Sequence, residues 1–264
     1  MNTMSTSAAH LLQAGTAQAL AHRGRATSGV ASLSVPLDRV DALMRELILG
    51  DDGERLGTIG VDHVAAGGRR VRARLALSST AALGGDIELA TGWAAACELL
   101  HNASLVHDDL QDGDKVRRGR PTVWAEHGAA QAINVGDLLL MLAYRAIEWA
   151  GSDDAQRWQL SRLLARYAEA TVRGQALELE LLAASRFDRA SYRSVVDGKT
   201  AALFAMPVLG GALIAGRGED AAALAEPFAA IGAMYQLQDD VVDLFGDKGR
   251  DARGCDLREG KVSA

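Results

Sequence analysis

The chain has 264 residues, a formal net charge of −6 and an apolar content of 48%. That length suits one large buried core or two small ones, and the acidic balance argues against a nucleic-acid partner. Aromatic residues make up only 5% while Ala, Leu and Gly abound, which disfavours a β-sandwich and favours closely packed helices.

Residues 1–37 are rich in Ala, Ser and Thr, carry Arg23 and Arg25, and contain no Asp or Glu. They read as a disordered tail, although an organelle-targeting peptide has a similar composition. A first helix is expected over 38–50, with Leu37, Val40, Leu43, Leu47 and Ile48 as its apolar stripe and Asp51-Asp52-Gly53 as its end. A second is expected over 69–83, after Gly67-Gly68. From Glu88 to Asp112 the chain is almost continuously apolar, as a helix buried on all sides would be, and Gly113 is its stop signal. Lys115 to Pro121 reads as a loop. Further helices are expected over 128–150 and 154–184. Another runs from Tyr192 to Ile214, with a break near Lys199 or before Pro207, and the last spans 219–245. No segment alternates as a strand, and no linker divides 38–264. The fold class is therefore all-α, a single-domain antiparallel helix bundle with a central apolar cavity. Met141, Met206 and Met234 are expected to fill its core. Cys97 and Cys255 have no zinc-like spacing and form no disulfide framework, which points to a reducing, cytoplasmic setting. No uninterrupted apolar run reaches transmembrane length.

Two segments carry the same pattern at the ends of apolar stretches: Asp108-Asp109-Leu110-Gln111-Asp112 and Asp239-Asp240-Val241-Val242-Asp243. On a helix the outer members of each, Asp108/Asp112 and Asp239/Asp243, stack on one face at i and i+4. Like charges there repel by a few tenths of a kcal/mol, and carboxylates near a helix C-terminus oppose its dipole by roughly 0.3–1 kcal/mol each. Paying that cost twice implies an external counter-charge. Carboxylate oxygens suit a hard divalent cation, Mg²⁺ above all. An EF-hand is excluded, because counting from Asp112 puts Arg117 at the glycine position and Val123 at the bidentate glutamate. Basic residues crowd the first cluster (Lys115, Arg117, Arg118, Arg120) and a second group lies at Arg69, Arg70, Arg72 and Arg74. Arginine grips phosphate oxygens in pairs, so a phosphorylated ligand bridging metal and arginine is expected. A P-loop is excluded: Gly198-Lys199-Thr200 has Arg193 where the upstream glycine belongs, and Gly260-Lys261 has Cys255 there and is followed by Val262. His101 and His107 are six residues apart, not on one helix face, so they are expected in the polar core or against substrate rather than on one metal.

In this order the motifs resemble the trans-isoprenyl diphosphate synthases, or polyprenyl synthetases, from about residue 38 to the end. Gly67-Gly68-Arg69-Arg70-Val71-Arg72 is similar to the family's GGKRxR segment. His107 to Thr122 is similar to its first aspartate-rich motif with the trailing RRGxPT. Gly136-Asp137, Gly174-Gln175, Lys199-Thr200-Ala201 and Tyr235 to Asp240 follow, and Gly254 to Lys261 is similar to the closing GxDLREGK.

The resemblance implies an isoprenoid-synthase bundle and a Mg²⁺-dependent transferase with three ions per site, acting as a homodimer. An allylic diphosphate loses pyrophosphate, isopentenyl diphosphate attacks the cation, and a proton leaves. It implies that Asp108, Asp112 and Asp239 hold Mg²⁺, with Asp109, Asp240 and Asp243 completing the clusters. Arg117, Lys199 and Lys261 would neutralise the leaving pyrophosphate. Arg69, Arg70, His101 and Arg118 would hold isopentenyl diphosphate, and Thr200 and Gln236 would aim oxygen dipoles at the cation. The growing tail is expected to run beside the first cluster's helix. There Ser104 and Ala103 are small and Leu100 stands two turns below Asp108, a spacing of about 5.4 Å per turn that points to a C20 product. The chain departs from the pattern at Arg69 (family Lys), Ala73 (family Pro) and Arg250-Asp251 (family Gly-Lys), and relatives continue with helices beyond its end. Alternatives are a farnesyl or longer-chain synthase, a class I terpene cyclase, and a non-catalytic partner subunit of a prenyl synthase. Retention of both clusters and of Arg69-Arg70 favours chain elongation.

Overall fold

A computed structural model describes residues 35–50, 53–184 and 188–245, with the side chains of 243–245 excepted. The expected tail (residues 1–34), Cys255 and the closing motif through Lys261 lie outside the described residues. Ten α-helices make up these segments: α1 (Leu37–Leu49), α2 (Arg55–Ala65), α3 (Val71–Ala82), α4 (Thr91–Asp112), α5 (Val123–His127), α6 (Ala129–Arg145), α7 (Asp154–Ala183), α8 (Arg189–Val196), α9 (Ala202–Ile214) and α10 (Ala221–Phe245). Short 3₁₀ turns precede α4 and follow α6, at Glu88–Ala90 and Ala146–Trp149. The architecture is the all-α bundle that the composition called for.

α4 is the spine. Its residues from Gly92 to Leu100 are all buried, Trp93 and Leu99 completely, and each large apolar side chain so buried contributes about 1.5–3 kcal/mol. Gly92 lets the spine lie against the turn after α6, since a Cβ there would stand 2.4 Å from the Ala146 carbonyl oxygen. Gly113, at φ 74°, ends the helix. α1 buries Val40, Leu43, Met44, Leu47 and Ile48, the expected stripe with Met44 added. Leu37 begins α1, one residue before the expected start of the first helix, and Val35 packs on the core.

Three local readings needed correction, at α2, at the hairpin and at the methionines, and one was resolved. α2 was not anticipated. Its Gly57 and Gly60 weaken helix propensity but let it press on α1, where added Cβ atoms would meet Ile48 at 2.5 and 2.9 Å. The expected loop after α4 contains a two-stranded antiparallel hairpin, β1 (Val116–Arg117) with β2 (Arg120–Pro121), turned by Arg118 and Gly119 at positive φ. The break in the 192–214 segment falls at Lys199, as a π turn over Asp197–Ala201, and Pro207 sits inside α9. Trp93 Nε1 donates to the Pro207 carbonyl at 3.1 Å. Of the three methionines expected in the core, only Met206 is there; Met141 on α6 and Met234 on α10 are exposed. No described helix is long and apolar enough to cross a membrane.

Candidate active site

The two aspartate clusters are 131 positions apart, yet Asp108 and Asp112 from α4 and Asp239 and Asp240 from α10 line one cavity of about 310 Å³. The π turn brings Lys199 and Thr200 to the same cavity, α7 brings Glu178, the hairpin brings Arg117 and Arg118, and α3 and α4 bring Arg72, His101 and Ser104. A π turn re-aims side chains that an unbroken helix would point elsewhere. Gly174 makes room for it, because a Cβ on Gly174 would lie 2.8 Å from the Lys199 backbone nitrogen. The neighbouring Gln175 donates to the Gln111 side chain at 3.0 Å, tying α7 to the first cluster. Gly136 does the same for His107, whose ring would overlap any Cβ at that position.

The six aspartates do not play one part. Asp108 is 3.5 Å from Lys199 Nζ, which also donates to Glu178 at 2.8 Å. Burial pushes the Asp108 carboxyl up to about 6, with Asp112 and Glu178 adding to the rise and Lys199 opposing it. Burial also works to lower the Lys199 ammonium, but Asp108 and Glu178 outweigh it and the net shift is upward. The pair shifts in one direction because burial wins at the carboxyl and the carboxylates win at the amine. Asp109 faces away from this cavity. Its Oδ1 takes Arg117 Nε and Nη2, both at 2.6 Å, and its Oδ2 is buried without a hydrogen bond. Asp109 borders a second cavity behind the hairpin, shared with His63, Arg117 and Arg118. Asp240 lines the first cavity but accepts from Tyr192 at 2.7 Å and Gln236 Nε2 at 2.9 Å. The Asp243 side chain lies outside the described residues.

The basic residues also sort differently from the sequence expectation. Arg69 and Arg70 do not border the cavity. Arg70 is the residue before α3, in a left-handed conformation at φ 48°, and its guanidinium pairs with Asp41 at 2.7 Å and donates to the Val64 carbonyl at 3.0 Å. Arg69 is exposed. Arg72, counted only as part of a basic group from sequence, is the arginine of that segment that reaches the cavity. Buried Glu98 anchors it by accepting from the backbone nitrogens of Arg72 and Ala73 at 3.1 and 3.0 Å, a carboxylate at the positive end of α3. Ala73, where the family has Pro, supplies one of those N–H groups. Arg72 lies over the Phe204 ring at 5.5 Å, and its Nε is buried without a hydrogen bond. Burial, with Arg72 and Arg118 beside it, holds the His101 imidazole well below its usual range; its Nδ1 also has no bond. Two orphaned polar atoms in a cationic corner suit a bound anion.

Of the length-setting residues, Ser104 borders the cavity together with Leu105, Leu203, Phe204 and Tyr235. Ala103 and Leu100 are buried outside it. Among the described residues no three His, Cys, Asp or Glu side chains gather as a metal cluster. The donor set still fits Mg²⁺, which keeps several waters and is held by one or two carboxylates plus substrate phosphate oxygens. Asp108 and Asp112 offer two such carboxylates on one wall and Asp239 offers another on the facing wall.

The family model described as Polyprenyl synthetase matches residues 54–264. The short chain isoprenyl diphosphate synthase of Methanothermobacter thermautotrophicus is 34% identical over 232 residues, which span 86% of this chain and 70% of the relative. The geranylgeranyl diphosphate synthase of Mycobacterium tuberculosis is 35% identical over 252 residues, 93% of this chain and 70% of that one. The crystal structure of the geranylgeranyl pyrophosphate synthetase from Pyrococcus horikoshii superposes with a TM-score of 0.81 at 35% identity, covering 86% of this chain and 70% of that structure.

Proposed function

This chain belongs to the polyprenyl synthetase family and is a prenyltransferase, and on that premise we propose that it condenses isopentenyl diphosphate with an allylic diphosphate to give mainly geranylgeranyl diphosphate. The observation that carries this reading is the convergence of both aspartate clusters, Lys199 and an anion-ready corner of Arg72, His101 and Arg118 on one cavity. The two ends differ in the way two diphosphates would need. One end offers carboxylates for a metal-bound leaving group; the other offers Arg72, Arg118 and His101, with buried polar atoms on Arg72 and His101 that have no hydrogen bond.

Bound Mg²⁺, three ions by analogy with the family, would supply Lewis-acid withdrawal of charge from the leaving diphosphate. Asp108, Asp112 and Asp239 would hold it, with Asp243 in support. Asp109 and Asp240 act through the groups they bind rather than as ligands. Lys199, already shared between Asp108 and Glu178, is placed to trade a carboxylate for a phosphate oxygen. Arg117 and Lys261 would add positive charge at the same end, and Arg72, His101 and Arg118 would hold isopentenyl diphosphate. Thr200 and Gln236 present oxygen atoms to the space where the allylic cation would form, and a fixed dipole there costs no reorganisation during the reaction.

The C20 reading is supported by the small Ser104 one turn below Asp108 and by the names of the relatives in Mycobacterium and Pyrococcus. We place the enzyme in the cytoplasm, as a homodimer joined through α6, where Ile133 and Met141 stand exposed two turns apart. The test is purified protein with Mg²⁺, labelled isopentenyl diphosphate and each allylic primer, with products sized. Geranylgeranyl diphosphate should dominate, and Ser104→Phe or Ala103→Phe should shorten it. No product from any primer would overturn the reading.

A further inference from the structure

We infer that Tyr192 is a positioning residue for this reaction: through Asp240 and Gln236 it holds Thr200 with its oxygen lone pairs turned to the cavity. Tyr192 sits on α8, in none of the motifs, 48 residues from its partner. Four side chains from three elements form one directed chain. The Tyr192 hydroxyl donates to Asp240 Oδ2 at 2.7 Å, and Gln236 Nε2 donates to Asp240 Oδ1 at 2.9 Å. An ionised carboxylate only accepts, so both bonds run toward Asp240. With its nitrogen so engaged, Gln236 turns Oε1 to Thr200, which donates to it at 2.8 Å.

The direction of this chain is what matters. The Thr200 proton is committed to Gln236, so the hydroxyl offers lone pairs to the cavity that it lines. Positive charge developing there meets the negative end of a dipole. Were the chain reversed, an O–H proton would face the same charge. Tyr192 fixes the geometry at the far end, because it occupies the one carboxylate oxygen of Asp240 that Gln236 does not. Asp240 is buried to 4% exposure, and losing a donor there would let its carboxylate turn and free the Gln236 amide to flip. Gly232, one helical turn before Gln236, keeps α10 close enough for the chain to close, since a Cβ there would lie 2.9 Å from the Ala201 Cα.

This inference rests on the prenyl-transfer reading, which wild-type turnover tests by itself. Tyr192→Phe keeps the ring and removes the first donor. In the folded variant kcat is expected to fall about tenfold, the order of one hydrogen bond to a charged group. KM for both diphosphates should stay within about twofold. Binding of Mn²⁺ in the presence of inorganic diphosphate, followed by calorimetry, should be unchanged. Thr200→Val removes the end of the chain, so adding Tyr192→Phe to it should cost nothing further. Gln236→Met interrupts the chain one bond on and should show the same kcat-only loss, which keeps the test open if Tyr192→Phe does not fold. An unchanged kcat in folded Tyr192→Phe, losses that multiply in the double variant, a loss of Mn²⁺ affinity in Tyr192→Phe, or, if that variant does not fold, an unchanged kcat in Gln236→Met would each overturn the inference.

Discussion

The two aspartate clusters read alike in sequence and are built unlike. On α4, Asp108 and Asp112 face the cavity while Asp109 is turned behind the helix onto Arg117. On α10, Asp239 and Asp240 both border the cavity, and Asp240 accepts from Tyr192 and Gln236. The middle aspartate is a scaffold in each case, bonded on α4 to the Arg117 guanidinium and on α10 to Tyr192 and Gln236. Their settings differ too. α4 is buried from Gly92 to Leu100, whereas α10 leaves Ile231, Met234, Leu237 and Val241 exposed. Identical motifs can thus divide their labour differently once the helix beneath them faces different neighbours.

The largest effect that should separate ligand from scaffold is on turnover. Asp108→Ala and Asp239→Ala each remove a carboxylate that lines the cavity and that we propose as a metal ligand. Each should lower kcat about a thousandfold or more, the order of lost charge stabilisation at such a site, measured by steady-state incorporation of labelled isopentenyl diphosphate. Retained activity in either would remove that wall from the site.

The scaffolds should differ in stability rather than chemistry. Asp109→Ala leaves Arg117, whose side chain is 27% exposed, without its partner. Breaking a largely buried ion pair costs about 3–5 kcal/mol. Asp240→Ala removes the acceptor of the Tyr192 and Gln236 bonds, at about 1 kcal/mol each. Urea denaturation should therefore place Asp109→Ala well below Asp240→Ala; the reverse order would mean that the two middle aspartates are alike.

A pH test sharpens the contrast further. Asp108 is raised to about 6 from an ordinary 3.8, chiefly by burial. Between those values the folded state binds more protons than the unfolded one, so stability attributable to Asp108 falls as pH rises through the window. Above about pH 6 the ionised group costs the metal-free fold up to roughly 3 kcal/mol. Asp108→Asn should therefore melt higher than wild type at pH 8 without divalent ions, with the gain shrinking toward pH 4, while turnover is lost. Metal binding by wild type should weaken below about pH 6, where a proton competes for Asp108.

How much of this was legible in the sequence follows from the range of the interactions. Periodicity exposed the α1 stripe and the buried α4, because both signals are local. The stacking of Asp108 with Asp112 was readable too, and the same 100° per residue that stacks them turns Asp109 away. α2 was hidden because its glycines read as breakers, when their use is to let Ile48 approach. The Tyr192–Asp240 bond left no local trace, since its partners are far apart in sequence. The arginine segment was misread by two residues. A helix expected from residue 69 begins at Val71, and the left-handed Arg70 shifts which arginine faces inward.

That last shift yields the smallest effect. Arg70 pairs with Asp41, which is 48% exposed, and such partly solvated pairs contribute about 0.2–1 kcal/mol. The added bond to the Val64 carbonyl brings the expected cost of Arg70→Ala to about 1 kcal/mol. KM for isopentenyl diphosphate should stay within about twofold. Arg72→Ala, by contrast, removes a guanidinium from the anion-ready corner and should raise that KM about tenfold or more, the worth of one charge-assisted bond. Fluorescence-monitored unfolding and substrate titration of the two variants separate the cases. If Arg70→Ala raised KM as far as Arg72→Ala does, the cationic corner would have to extend beyond the cavity to the loop before α3, and the division of labour between neighbouring residues argued for both aspartate clusters would not hold for the arginines.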